Sequence, residues 1–195
     1  ADPDLVLAAT AQGVFRSTDG GTNWQRSLDH DAHSVQVAPS APQVVYAGTS
    51  EGVYRSDDGG VTWASYSSGI QYPDIGPLTV HPQDPNLVLA GSNIWQWTFH
   101  YHPFPASTKG EGIYKTTDGG ASWAKKTGGF VDVDVVAVAV DPNDPNVAYV
   151  GMGCSRGIFR TENGGASWVF ISGGPERGSW DIAHYTMRLA TDPNS

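Results

Sequence analysis

Apolar and polar positions alternate along this chain in short runs, each closed by residues that favour turns. The clearest run is a glycine, a β-branched residue, an aromatic and a cation. It occurs four times, as Gly13-Val14-Phe15-Arg16, Gly52-Val53-Tyr54-Arg55, Gly112-Ile113-Tyr114-Lys115 and Gly157-Ile158-Phe159-Arg160. Alternation of this kind predicts a strand running into a tight turn. Each run is followed by one grammar: "STDGGTNW" (Ser17 to Trp24), "SDDGGVTW" (Ser56 to Trp63), "TTDGGASW" (Thr116 to Trp123) and "TENGGASW" (Thr161 to Trp168). The chain is therefore built from repeats.

The residue types explain the turn. The hydroxyl of Ser17, Ser56, Thr116 or Thr161, and the side-chain oxygen of Asp19, Asp58, Asp118 or Asn163 two residues on, can accept backbone N–H groups inside the turn. The glycine pairs that include Gly21, Gly60, Gly120 and Gly165 supply the positive φ that other residues resist. The tryptophan then starts the returning strand, with a large ring to bury and an indole N–H to place. Each copy reads as a hairpin clamp with a hydrophobic anchor, and Trp24, Trp63, Trp123 and Trp168 are expected at equivalent buried positions.

The pattern S/T-x-D-x-G-x-x-W resembles the Asp-box, or BNR repeat, of sialidases, xyloglucanases, sortilin-type receptor domains and photosystem assembly factors. All four copies match it, except that Asn163 replaces the acid in the last. Asn keeps an acceptor oxygen, so the turn is expected to survive. In those families the box is a fold element on β-propeller blades, which implies a structural role for its acids here. One carboxylate per turn is also a poor Ca²⁺ loop, since such loops need several oxygen ligands.

A second element precedes three of the clamps: "VQVAPSAPQVVYAGT" from Val35, "LTVHPQDPNLVLAGS" from Leu78 and "VAVDPNDPNVAYVGM" from Val138. Each reads as strand, Pro-rich turn, strand, with proline in the connection where no ladder N–H is lost. With the clamp hairpin this gives four antiparallel strands per unit, the composition of a propeller blade. The expected fold is an all-β propeller of about four blades, standing alone or as part of a larger ring. The repeats fall at approximately 1–30, 34–68, 77–127 and 135–173, the third carrying an insertion. The start, "DPDLVLAAT", matches the second-strand half of the element, and the end, "MRLATDPNS", matches the first-strand half. Residues 181–195 are expected as an inner strand that completes the first blade or begins another.

Composition narrows the partners. With 24 Gly, 13 Pro and 11% aromatics, the chain suits an all-β fold with many turns. A net charge of −9 argues against nucleic acid or an anionic membrane as partner. A single cysteine, Cys154, excludes an internal disulfide framework and a multi-cysteine zinc site, and is expected as a buried, inert thiol. No cofactor and no metal are called for. No stretch reaches transmembrane length, and the surface chemistry suggests a secreted or periplasmic protein.

In a four-stranded meander the clamp and the Pro-rich turn share one side, and the inter-blade connections share the other with the loops between second and third strands. Binding residues are often on such loops. They hold Asp29, His30, Asp31 and His33; Tyr72 and Asp74; Asp132 and Asp134; and, in "GGPERGSWDIAHYT", Trp180, Asp181, His184 and Tyr185. The insertion "NIWQWTFHYHPFPASTKGE" adds Trp95, Trp97, Tyr101 and His102. Five of the six histidines fall on this side, His81 being the exception. The candidate ligand-binding set is Trp95, Trp97, Tyr101, His102, Trp180, His184 and Tyr185. These residues suit a non-catalytic binding or scaffold propeller that presents an aromatic and acidic loop face to a protein or polysaccharide, with self-association or further blades completing the ring. The alternative is a glycoside hydrolase. "GSWDIAHYTMRLATDPN" is similar to a loop of xyloglucanase-type enzymes, which implies Asp181 as a catalytic acid. Sialidase chemistry is disfavoured, because no F/Y-R-I-P motif is present and Arg16, Arg55 and Arg160 belong to clamp strands.

Overall fold

The computed structural model describes residues 4–92, 112–128, 130, 135–152, 157–172 and 189. Its strands form four antiparallel sheets in chain order. Blade 1 contains β1 (Val6–Thr10), β2 (Gly13–Ser17) and β3 (Gln25–Leu28). Blade 2 contains β4 (Ala32–Val37), β5 (Val45–Thr49), β6 (Gly52–Ser56) and β7 (Ala64–Ser65). Blade 3 contains β8 (Ile75–Val80), β9 (Val88–Ser92), β10 (Ile113–Thr116) and β11 (Ala124–Lys125), and blade 4 contains β12 (Val135–Val140), β13 (Ala148–Met152), β14 (Gly157–Thr161) and β15 (Val169–Ser172). Within each blade, sequence neighbours are sheet neighbours. This is the meander expected of an all-β propeller. Cys154, and residues 181–195 apart from Leu189, lie outside the described residues.

The blades stack face to face, with the core between them. One cluster joins Tyr46 and Val53 of blade 2 to Ile75, Val88 and Tyr114 of blade 3. Another joins Leu89 and Ile113 of blade 3 to Val135, Val138 and Val150 of blade 4, and a third joins Val14 and Leu28 to Ala32 and Ala47. The second strands β5 and β9 are buried along their whole length because blades cover both faces. Glycine lets the inner strands approach them. A Cβ on Gly91 would come within 2.5 Å of Val135 Cγ1. Inner strands pack in the order β4, β8, β12; blade 1, described with three strands, begins at the second-strand position and sets β1 against β4.

The clamp forms as its chemistry requires. In blade 2 the Ser56 hydroxyl donates to Asp58 Oδ1 at 2.7 Å and accepts the Gly60 N–H at 2.8 Å, while Asp58 Oδ1 accepts the Thr62 N–H at 2.8 Å. Blades 1 and 3 repeat this with Ser17–Asp19 and Thr116–Asp118. Asn163 does the same work through its amide oxygen, accepting from Thr161 Oγ1 at 2.9 Å and from the Ser167 N–H at 2.9 Å. The four hydroxyl residues are buried, so these bonds satisfy groups that water cannot reach. Hydrogen bonds hold Asp19 and Asp118 down to about 2, led by the Asn23 backbone N–H for Asp19 and by the Ser122 side chain for Asp118; the Thr62 side chain leads the lowering of Asp58.

The tryptophans depart from the expectation of equal burial. Trp123 is buried, at 5% exposure, whereas Trp63 and Trp168 are half-buried and Trp24 is 43% exposed. The hydrogen bonds give the reason. Trp63 Nε1 donates to Ser27 Oγ at 3.2 Å, Trp123 Nε1 to the Tyr66 carbonyl at 2.7 Å and Trp168 Nε1 to the Lys126 carbonyl at 2.7 Å. Each acceptor belongs to the preceding blade. Trp24, in the first blade, bonds the Gly21 carbonyl of its own turn instead. The anchor therefore staples one blade to the one before it.

Candidate functional site

Backbone contacts sort the turns by side. The Asp-box glycines Gly20, Gly59, Gly119 and Gly164 donate to carbonyls of Asp4, Gln43, Asn86 and Asn146, which brings the clamps against the proline-bearing turns. On the other side, the Ser50 N–H donates to the Asp31 carbonyl, joining the loop between second and third strands to the inter-blade connection. The histidines His30 and His33 lie on this second side, as the sequence indicates. His81 is buried by the Pro-rich turn, where its Nδ1 accepts the Gln83 N–H.

His33 owes its position to an irregularity. In the β4–β5 ladder Ala32 pairs with Thr49 and Ser34 with Gly48, so His33 is the extra residue of a bulge. A bulge re-aims the side chain it carries. Its Nδ1 lies 3.2 Å from Asp74 Oδ1, at the entry to the inner strand of blade 3, and its Nε2 lies 3.7 Å from Asp31 Oδ1. The Asp74 contact is close but not well aligned, since that oxygen is buried and no donor among the described residues is aligned with it. With a carboxylate at each ring nitrogen, the imidazolium is the favoured form. Asp74 raises the His33 pKa above its ordinary value against the opposing effect of burial, and Asp31 adds to it. The neighbouring Ser34 hydroxyl donates to the Gly76 carbonyl at 2.6 Å and fixes the same junction.

A second imidazole sits beside it. His30 stacks on Tyr54, with centroids 4.6 Å apart and planes at 24°, and its Nδ1 lies 3.2 Å from Glu51 Oε2. Burial raises the Tyr54 phenol, and Glu51 adds to the effect. Together His30, Asp31, His33, Glu51, Tyr54 and Asp74 form a polar surface with two rings, three acids and a phenol. Its groups can exchange hydrogen bonds with hydroxyls, and the stacked rings provide a flat apolar patch. Among the described residues no group of three or more His, Cys, Asp or Glu side chains is placed to hold a metal ion.

The structure describes part of the sequence-derived set. Trp95, Trp97, Tyr101, His102, Trp180, Asp181, His184 and Tyr185 lie outside the described residues, as do Asp132 and Asp134. The places from which two of these segments depart are described. The insertion leaves after Ser92 and returns at Gly112, which are joined by Ser92 N–H to the Gly112 carbonyl at 2.9 Å and Gly112 N–H to Ser92 Oγ at 2.8 Å. This is the blade 3 counterpart of the loop that carries Glu51. The segment with Trp180 and Asp181 follows β15, as the segment with His30 and Asp31 follows β3. Glu51 and Tyr54 were not singled out by sequence reasoning. Tyr54 reads there as the aromatic of a clamp strand, and only the register shows that it meets His30.

A cavity of about 340 Å³ lies beside the clamp of blade 1, lined by residues that include Arg16, Asp19, Trp24, Arg26 and Val61. It shares no residue with the His33 cluster.

Comparisons with known proteins agree with this geometry. The family model for the BNR/Asp-box repeat matches residues 15–26 and 54–65. No curated protein matches the chain. Among solved structures, an ancestral GH74 enzyme superposes over 90% of this chain and 24% of its own, with a TM-score of 0.68 and 24% identity. The GH74 xyloglucanase from Xanthomonas campestris covers 87% of this chain and 29% of its own, at a TM-score of 0.58 and 19% identity. YCF48 bound to D1 peptide covers 85% and 49%, at 0.51 and 17%. The chain thus spans about a quarter of the GH74 enzymes and about half of YCF48. The fold is that of an Asp-box β-propeller.

Proposed function

We propose that this array of Asp-box propeller blades is a binding or scaffold module whose loop face holds a partner, a polysaccharide chain in the first instance. The observation that carries the reading is the state of the acids on that face. Asp31 and Asp74 flank one imidazole, and Glu51 faces another. Paired glycosidase acids act across a gap of about 5–10 Å, with sugar or water between them. The acids described here instead lie against imidazole rings and serve as oriented acceptors, beside the stacked His30 and Tyr54 rings. Trp95, Trp97, Tyr101, His102, Trp180, His184 and Tyr185 extend this surface in the proposal, on segments that depart from the same side. A secreted or periplasmic location suits such a module, and no helix among the described residues is long and apolar enough to cross a membrane.

The second reading is glycoside hydrolysis. It is supported by the shared fold with GH74 enzymes over most of this chain and by Asp181 in its xyloglucanase-like loop, where it would act as one of two acids. A panel of xyloglucans and β-glucans distinguishes the two, with binding read by calorimetry and reducing-end release measured on the native chain and on Asp181→Asn. The binding reading expects an oligosaccharide to bind with no release. Release by the native chain that disappears in the variant overturns it in favour of the hydrolase. Neither binding nor release would move the search to a protein partner on the same face.

A further inference from the structure

We infer that the cavity at the junction of blades 1 and 2, on the Asp-box side, is a binding site for an acidic sugar residue, a uronate whose carboxylate pairs with Arg16. The site is separate from the loop face, and it stands whichever partner that face holds.

The clamp-strand cations of the other blades show what Arg16 lacks. In blade 2 the residue after the box hydroxyl is Asp57, which accepts from Arg55 Nε at 2.9 Å and Nη2 at 2.7 Å, leaving Nη1 for the Gly119 carbonyl at 2.9 Å. In blade 4 the same position is Glu162, and it holds Arg160. Blade 3 has Thr117 there, but its cation is Lys115, which turns to the Pro145 carbonyl at 2.9 Å. Blade 1 combines an arginine with Thr18. Arg16 reaches the Gly59 carbonyl through Nε at 3.0 Å, and among the described residues its two terminal nitrogens carry neither a hydrogen bond nor a carboxylate. Such a guanidinium presents a pair of N–H groups in the fork geometry that takes both oxygens of a carboxylate.

The space beside Arg16 also has a cause in the sequence. The residue three positions after the box tryptophan is Tyr66 in blade 2, where the Arg55 Cζ lies 5.4 Å from its ring centroid. Lys126 takes that place in blade 3 and packs against Gly165. Blade 1 has the small Ser27, and the cavity of about 340 Å³ opens there, within the roughly 300–1,000 Å³ of small-molecule sites. Both walls belong to described blades, since residues from Arg16 to Ser27 face Val61, which is 52% exposed. The lining favours a sugar over an acidic peptide. Thr18, Gln25 and Ser27 bring hydroxyl and amide groups for ring hydroxyls, and Val61 brings apolar surface for the C–H face. Two other charges line the cavity and are already engaged: Arg26 pairs with Asp29 at 2.7 Å, and Asp19 is taken up inside its own turn by Ser17 and Asn23. Arg16 is thus the charge left for a ligand. A neutral glycan supplies no counter-ion to it, so this site and the loop face select different sugars.

Calorimetric titration with a galacturonate trimer tests the site on the native chain and on two variants at exposed Thr18, each checked for native circular dichroism. The native chain is expected to bind the trimer. The methyl-esterified trimer keeps the ring hydroxyls and loses the charge, and should bind at least about tenfold more weakly, as for one lost charge-assisted hydrogen bond. Thr18→Asp gives Arg16 the internal carboxylate that Arg55 has, and should weaken the uronide by a similar factor. Thr18→Asn, the same shape without the charge, should leave affinity unchanged. The NMR signal of the Trp24 indole, which lines the cavity, should shift with the uronide in the native chain and not in Thr18→Asp. No binding by the native chain would overturn the inference, as would equal affinity for the ester or in Thr18→Asp. Binding that moves the His30 ring and leaves Trp24 still contradicts the location. A hexaglutamate peptide that binds as tightly as the uronide contradicts the assignment to a sugar.

Discussion

The indole N–H of Trp123 donates to the carbonyl of Tyr66 at 2.7 Å, across the boundary between blades 2 and 3. The clamp that looks local in sequence is thus a device for joining blades. Trp123→Ala should cost about 3–5 kcal/mol, as expected for removing a buried aromatic, while Trp24→Ala should cost about 1 kcal/mol or less in dilute monomer, where its one bond is to its own turn. Urea midpoints for the two variants measure the difference. Equal losses would contradict the stapling role.

Gly91 tests the close stacking of blades. An added methyl would meet Val135 at 2.5 Å and Pro77 Cγ at 2.9 Å. Gly91→Ala should therefore destabilise the chain by about 1–3 kcal/mol through overpacking, read as a lower thermal midpoint. An unchanged midpoint would mean that blades 3 and 4 separate at little cost.

The Asp-box acids predict the acid limb of the stability profile. Asp19 and Asp118 are held down to about 2, against an unfolded value of about 3.9. A lowered folded pKa gives stability that is present above the unfolded value and lost as pH falls through the folded one. Stability should thus fall from about pH 4 toward pH 2. Replacing Asp19, Asp58 and Asp118 together by Asn should flatten this fall while keeping the fold, since Asn163 already sustains such a turn. Denaturant titrations at several pH values provide the check.

His33 predicts the opposite slope. Its folded pKa is raised, with Asp74 as the largest cause. Its contribution is complete below about pH 6.5, the unfolded value, and is lost as pH rises through the folded value. Asp74→Asn should bring the His33 titration, followed by NMR, back toward the ordinary value. If the midpoint is unmoved, the pair between blades 2 and 3 has no electrostatic role.

Much of this was legible in sequence because it is local. The alternation that starts at Gly13 and its counterparts, the hydroxyl and acid of each turn, and the tolerance of Asn163 follow from chemistry within a few residues. The exposure of Trp24 does not, since it depends on which blade stands before it. The site was legible as a face and only partly as a cluster. His30, Asp31, His33 and Asp74 fall on neighbouring loops, but the bulge that re-aims His33 is a matter of register. The stacking of Tyr54 on His30 is likewise a tertiary fact about a residue whose local pattern assigns it to the clamp strand.

The most direct test of the binding face is an NMR titration of the native chain with xyloglucan oligosaccharides, following histidine ring and tryptophan indole signals. The account predicts shifts at His30 and His33 and at the indoles of Trp95, Trp97 and Trp180, with Trp24, Trp63, Trp123 and Trp168 unmoved. Shifts concentrated on Trp24 and its cavity, with His30 and His33 silent, would contradict it and place the glycan on the Asp-box side.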